Sequence, residues 1–139
     1  MTMVIDASVA AKWFFEEEFT QNALFLISAD RDLIAPDVIL PEVCNVAWRR
    51  VLDDGFSAAQ ARSIALALPD LLAMTIPSDE LIGSALDLAL ELQHPVYDCM
   101  YLALSQARQV GLVTADRKLL RRLAECRWPG EAFHLSEVL

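Results

Sequence analysis

Four short, unbroken apolar runs constrain this chain more than any other feature: Val4-Ile5, Leu33-Ile34-Ala35, Met74-Thr75-Ile76 and Leu112-Val113-Thr114. None alternates apolar with polar residues, as a strand with one wet face would, so each reads as a strand buried on both sides. Helix-length segments separate them, and no tight hairpin turn joins any two. Strands alternating with helices predict an α/β fold with a short, mostly parallel central sheet flanked by helices. Ala132–Leu135 offers a last short strand. Ligands in such sheets bind beyond the carboxyl ends of the strands, which fixes where chemistry is to be sought.

The helical segments follow from spacing and punctuation. Helices are predicted over Val9–Phe15, Thr20–Ala29 and Val38–Leu52, with Pro41 confined to a first turn. Ser57 with Gln60 has the spacing of a capping box and starts a helix running toward Pro69. Ser78, followed by Asp79 and Glu80, reads as the start of the next, with Leu81, Ala85, Leu88 and Leu92 along its buried face. Pro95 ends that segment. Another helix runs from about Tyr97 to Gln109, and a basic one from Asp116 to about Glu125.

Composition narrows the function classes. A chain of 139 residues with 55% hydrophobic residues fits a single domain with a true core. No apolar run approaches the roughly 18 residues that cross a bilayer, and no signal peptide is evident, so the expected location is the cytoplasm, away from membranes. Cys44, Cys99 and Cys126 lack the CxxC spacing of a zinc site and are expected as reduced, buried thiols. A net charge of −9 argues against an open basic nucleic-acid binder. Yet six of the eleven basic residues lie between Arg108 and Arg127, opposed only by Asp116 and Glu125. That bias suits either an anionic partner or a solvated helix face.

Asp6 follows the first strand, and Asp116 stands two residues past Thr114, the end of the fourth. In a parallel sheet both open onto one edge. Glu42 and Asp98 fall in the first turns of predicted helices, so four distant carboxylates can converge there. Gathered carboxylates repel each other, and a divalent cation removes that penalty. All-oxygen ligation without a Cys/His set favours Mg²⁺ or Mn²⁺ over zinc. Taken singly, Asp6, Asp98 or Asp116 is equally well explained as a helix cap.

Val-Ile-Asp-Ala-Ser-Val at 4–9, Leu-Pro-Glu-Val at 40–43, Tyr-Asp-Cys-Met-Tyr-Leu-Ala-Leu-Ser at 97–105 and Thr-Ala-Asp at 114–116 resemble, in order and spacing, the signature of PIN domains. The sequence is most similar to the VapC toxins of toxin–antitoxin pairs, over essentially the whole chain. The resemblance implies a three-layer PIN-like fold and a metal-dependent endoribonuclease that cuts structured RNA, often tRNA or rRNA. It also implies a homodimer held inactive by a cognate VapB-like antitoxin. The family's metal ligands carry over to Asp6, Glu42, Asp98 and Asp116, with Ser8 and Thr114 as hydroxyls that orient a carboxylate or a water. Many relatives carry another acidic or amide residue just after the last aspartate. Here Arg117, Lys118, Leu119 and Leu120 follow, which leaves a second metal open.

Arg117, Lys118, Arg121 and Arg122 are candidate contacts for RNA phosphates. Trp13, Phe14 and Phe15 are three aromatics in a row; one helix cannot bury all three, so at least one is expected to meet a partner, with Trp48 as a further contact. Glu16-Glu17-Glu18 reads as a solvated turn, and His94 and His134 as surface or cap residues. Ser105 lacks a nucleophile-elbow context, and the four glycines form no phosphate loop. The competing functions are a DNA nuclease, which at this length lacks a clamping domain, and a catalytically silent interaction module, which has no reason to tolerate four repelling carboxylates. An aspartyl-phosphate phosphotransferase would need Asp-x-Asp where this chain has Asp6-Ala7-Ser8.

Overall fold

In the computed structural model, which describes residues 1–138, the apolar runs become β1 (Thr2–Ile5), β2 (Asp32–Pro36), β3 (Met74–Ile76) and β4 (Leu112–Thr114). Ala132–His134 forms β5. The strands make one sheet in the order β3-β2-β1-β4-β5, and every pairing is parallel. β1 is central: Val4 lies opposite both Ile34 of β2 and Leu112 of β4. From β1 the chain moves outward through β2 and β3, then returns to the other side of β1 as β4. The β1–β4 boundary is therefore the point where the strand order reverses, and a crevice opens there beyond the carboxyl ends.

The helices are α1 (Ala7–Ala10), α2 (Thr20–Ser28), α3 (Ile39–Asp53), α4 (Ala58–Ala67), α5 (Ile82–Leu92), α6 (Val96–Arg108) and α7 (Arg117–Glu125). α6 is the core helix. Cys99 through Ser105 are buried without a break, so this helix is enclosed all round rather than on one stripe. It packs on β1, β2 and β4, with α5 alongside. A tight left-handed turn at Gln93 and then Pro95 reverse the chain from α5 into α6.

Three local expectations change. The helix predicted over Val9–Phe15 stops early: α1 passes into a single 3₁₀ turn, Ala11–Trp13, which leaves Phe14 and Phe15 beyond it. Freed from helical geometry, Phe15 turns inward, 2% exposed, with its ring 4.9 Å from that of Phe56. It is core and no partner contact. Ser78 starts only a 3₁₀ turn, and α5 begins at Ile82, because the Ser78 hydroxyl donates to Asp37 rather than capping a helix. Of the cysteines only Cys99 is buried; Cys44 is half-buried and Cys126 exposed. The Ser57–Gln60 capping box forms as expected, with both reciprocal bonds present. Among the described residues, no helix is long and apolar enough to cross a membrane.

The core role of α6 is measurable by urea denaturation. Leu102→Ala, at a fully buried position, lowers the unfolding free energy by about 2–4 kcal/mol. Leu66→Ala, on the open face of α4, changes it by less than about 0.5 kcal/mol.

Candidate active site

Asp6 is the first residue beyond β1, and it caps α1 with extended backbone angles. Its buried carboxylate collects three donors: the Ser8 hydroxyl at 2.5 Å, the Val9 N–H at 3.2 Å and the Thr114 hydroxyl. Thr114 is present because β4 runs beside β1 in register, Ile5 opposite Val113. The direction of the hydroxyl protons is fixed by the backbone. Ser8 Oγ accepts from the Ala115 N–H at 2.9 Å, and Thr114 Oγ1 accepts from the Asp116 N–H at 3.0 Å. Each hydroxyl has a single proton, and both give it to Asp6.

Glu42, in the first turn of α3, accepts from the Tyr101 hydroxyl at 2.7 Å. Asp98, in the first turn of α6, lies 2.6 Å through its Oδ2 from His94 Nε2. Burial pushes the Asp6 carboxyl up to about 6, against the lowering effect of its donors, and the Asp98 charge adds to the rise. Burial raises Glu42 too; the Tyr101 bond opposes this and the Asp98 charge reinforces it. The Tyr101 hydroxyl is raised by its own burial and then by Glu42, Asp6 and Asp98, so it stays protonated and donating. Asp6, Glu42 and Asp98 thus form one electrostatic group.

Asp116 joins it less directly. Its Oδ1 accepts the Lys118 and Leu119 N–H groups at the start of α7, and its link to Asp6 runs through Thr114. Among the described residues, no three Asp, Glu, His or Cys side chains stand together as a ready cation cage. The donor set nevertheless suits a hard divalent cation: it is all oxygen, and a buried carboxyl held near 6 is one that a nearby positive charge returns to the ionised form.

A cavity of about 450 Å³ opens beside this group between α1 and α3, with Ser8, Lys12, Glu17, Glu42 and Asn45 on its walls. Glu17 is no solvated turn residue: it takes the Arg50 guanidinium at 2.6 Å and the Lys12 ammonium at 3.4 Å. Arg50 in turn covers the Phe15 ring at 4.8 Å. His94 is also more than a surface residue, since its side chain is half-buried against Asp98. His134 is buried and caps the last 3₁₀ turn by accepting the Ser136 N–H at 3.0 Å.

On α7, Arg117, Lys118 and Arg121 are exposed without a side-chain partner among the described residues. Arg122 is committed elsewhere, donating to the Leu92 carbonyl at 2.7 Å. Trp13 is half-buried and donates to the Ala23 carbonyl at 2.9 Å, and Phe14 packs on the core. Trp48 is 56% exposed on α3, next to an apolar groove formed with α4. Sequence reasoning missed Tyr101 and His94. Their spacing of three and four residues from Asp98 was the available signal.

The family model for the PIN domain matches residues 3–125. The chain belongs to the PIN domain family. Among curated relatives, the PIN domain here is 29% identical over 124 residues to ribonuclease VapC3 of Pyrobaculum aerophilum, covering 88% of this chain and 95% of that one. It is 36% identical over 87 residues to ribonuclease VapC1 of Mycobacterium tuberculosis, covering 61% and 63%. The fold matches that of PAE2754 from Pyrobaculum aerophilum, with a TM-score of 0.70 at 19% identity over 99% of this chain and 91% of that one. It also matches a chain of a toxin–antitoxin complex from Klebsiella pneumoniae, with a TM-score of 0.68 at 18% identity, covering 96% and 97%.

Burial of Asp6 gives this PIN domain a defined pH response when metal is withheld. The folded pKa, about 6, lies above the unfolded value of 3.8, so the native state binds more protons between them. The stability linked to this proton is complete below about pH 4 and is lost as pH rises through about 6. In EDTA, Asp6→Asn flattens that decline, so between about pH 4 and 6 the unfolding free energy of the variant relative to wild type rises by on the order of 2–3 kcal/mol, whatever the constant loss from the bonds the amide cannot accept. Parallel pH profiles for the two proteins would exclude it.

Proposed function

We propose that this PIN domain is an Mg²⁺- or Mn²⁺-dependent endoribonuclease toxin that cuts structured RNA, such as tRNA or rRNA, and is inhibited by a cognate antitoxin. The observation that carries the reading is the electrostatic coupling of Asp6, Glu42 and Asp98 beyond the ends of the central strands. The ribonuclease names of the curated relatives support the same reaction. Asp6, Asp98 and Glu42 would hold the cation, with Asp116 completing the set. When bound, the cation supplies positive charge to the scissile phosphate and to the attacking water. Ser8, Thr114 and Tyr101 keep the carboxylates oriented by donating to them. Water attacks phosphorus, the bond to the 3′ oxygen breaks, a carboxylate of the group takes the water's proton, and the departing 3′ oxygen takes a proton from solvent. The products carry a 5′-phosphate and a 3′-hydroxyl.

Arg117, Lys118 and Arg121 are the RNA contacts of this reading, and the cytoplasm is where such a protein meets its substrate. The antitoxin is assigned to the groove of about 320 Å³ lined by Cys44, Trp48, Val51, Ala58, Ala61 and Ala65. It is apolar, and a neighbouring fold occurs in a toxin–antitoxin complex. A homodimer fits the exposed row Ile82, Leu86 and Leu90 on α5, a stripe that water disfavours.

Cleavage of total RNA with Mg²⁺ or Mn²⁺ tests the reaction. Asp6→Asn and Asp98→Asn each reduce it at least about a hundredfold, and EDTA abolishes it. Activity surviving both variants, or a 2′,3′-cyclic phosphate product, refutes the mechanism. For the partner, Trp48→Glu prevents co-elution with the antitoxin on size exclusion without lowering the melting temperature, because the indole is exposed.

A further inference from the structure

We propose that Lys12 anchors a backbone phosphate of the RNA in the cavity between α1 and α3, facing the acidic group. The inference rests on the ribonuclease reading and adds a binding residue to it. The Lys12 side chain is only 12% exposed, yet among the described residues its ammonium has a single partner, Glu17 at 3.4 Å. An ammonium has three donors, and a sheltered one left short of acceptors carries a desolvation cost. Neutralising Glu17 does not account for Lys12, because Arg50 already does so at 2.6 Å. Arg50 is shared in turn with Asp54 at 3.5 Å, so Lys12 is the cation of this cluster whose single carboxylate is already held more closely by another donor.

The same cavity also has an acidic side. Ser8 and Glu42 line it, with Asp6 directly behind Ser8. A phosphodiester carries one negative charge and would supply the acceptors that the Lys12 ammonium lacks, once a cation had neutralised the acidic group. Asn45, also on the wall, offers an amide to the same backbone. Lys12 is well placed to register the strand. It stands in the 3₁₀ turn that continues α1, and Asp6 caps that same α1. Reactive carboxylate and anchoring cation are thus carried by one short rigid segment.

The test is binding of a fluorescein-labelled RNA hairpin in Ca²⁺, which stands in for Mg²⁺ at the acidic group, read by anisotropy across a NaCl series, with cleavage in Mg²⁺ or Mn²⁺ followed in parallel. Lys12→Gln is expected to weaken binding roughly three- to tenfold and to lower the salt slope by about 0.7–1. Lys12→Arg keeps both near wild type, and Glu17→Gln, which removes the competing carboxylate, does not weaken binding. If glutamine at this position unfolds the chain, Lys12→Met is read in the same assay. An unchanged salt slope without Lys12, or equal losses in the Lys12 and Glu17 variants, overturns the anchor in favour of a structural ion pair. Cleavage with no Lys12 dependence sinks this inference alone. Lys12-dependent binding without cleavage keeps the anchor and sinks the nuclease reading, and a wild type that binds no RNA sinks both.

Discussion

The bond between the Thr114 hydroxyl and the Asp6 carboxylate joins the fold to the chemistry. It exists because β1 and β4 are adjacent and parallel, with residues at equal height beyond Ile5 and Val113. Any slip of that register by one residue would turn the hydroxyl to the other face of the sheet. Each of the Thr114 and Ser8 hydroxyls accepts from a backbone N–H and turns its one proton to Asp6. The carboxylate is held in place without being neutralised. Burial drives it toward protonation while three donors resist, and a nearby cation would tip that balance.

α6 extends the same logic to the other side of the site. Its enclosed middle fixes its position against the sheet, so its first turn arrives at the crevice with little freedom. Asp98 stands in that turn, and Tyr101, one turn deeper, reaches Glu42 on α3. The α5–α6 turn brings His94 onto Asp98. Each carboxylate therefore has a dedicated partner from packed structure. Mutual repulsion, which would otherwise splay the three apart, is opposed by donors that cannot easily move.

The sheet was legible in the sequence because β1, β2 and β4 are apolar runs buried on both faces; the edge strands β3, with Met74 exposed, and β5 are buried only in part. The carboxylates were legible for a related reason: Asp6 and Asp116 follow such runs directly. What stayed hidden depends on contacts between distant segments. Tyr101 reads as core until Glu42 is seen beside it, and Glu17 reads as one of three solvated glutamates until Arg50 arrives from α3. The aromatic run misled because it was assigned helical geometry. The chain leaves α1 after one 3₁₀ turn, and Phe15 is then free to bury. Asp116 was a cap or a site residue by sequence; in the structure it caps α7 with one oxygen, and among the described residues the other has no hydrogen-bond donor.

On the proposed ribonuclease reading, a chain of net charge −9 must keep its charges apart rather than average them. The structure does so over short distances. Asp6 lies behind hydroxyls at the strand ends, while Lys12 and Arg50 share Glu17 beside the cavity. The exposed cations of α7 begin immediately after Asp116. Screening in water acts over about 8–10 Å, so charges separated on this scale still present distinct signs to a bound phosphate. Global charge then governs solubility, while the local arrangement decides where an anionic strand can lie. Net charge alone is therefore a poor guide to whether such a chain takes an anionic partner.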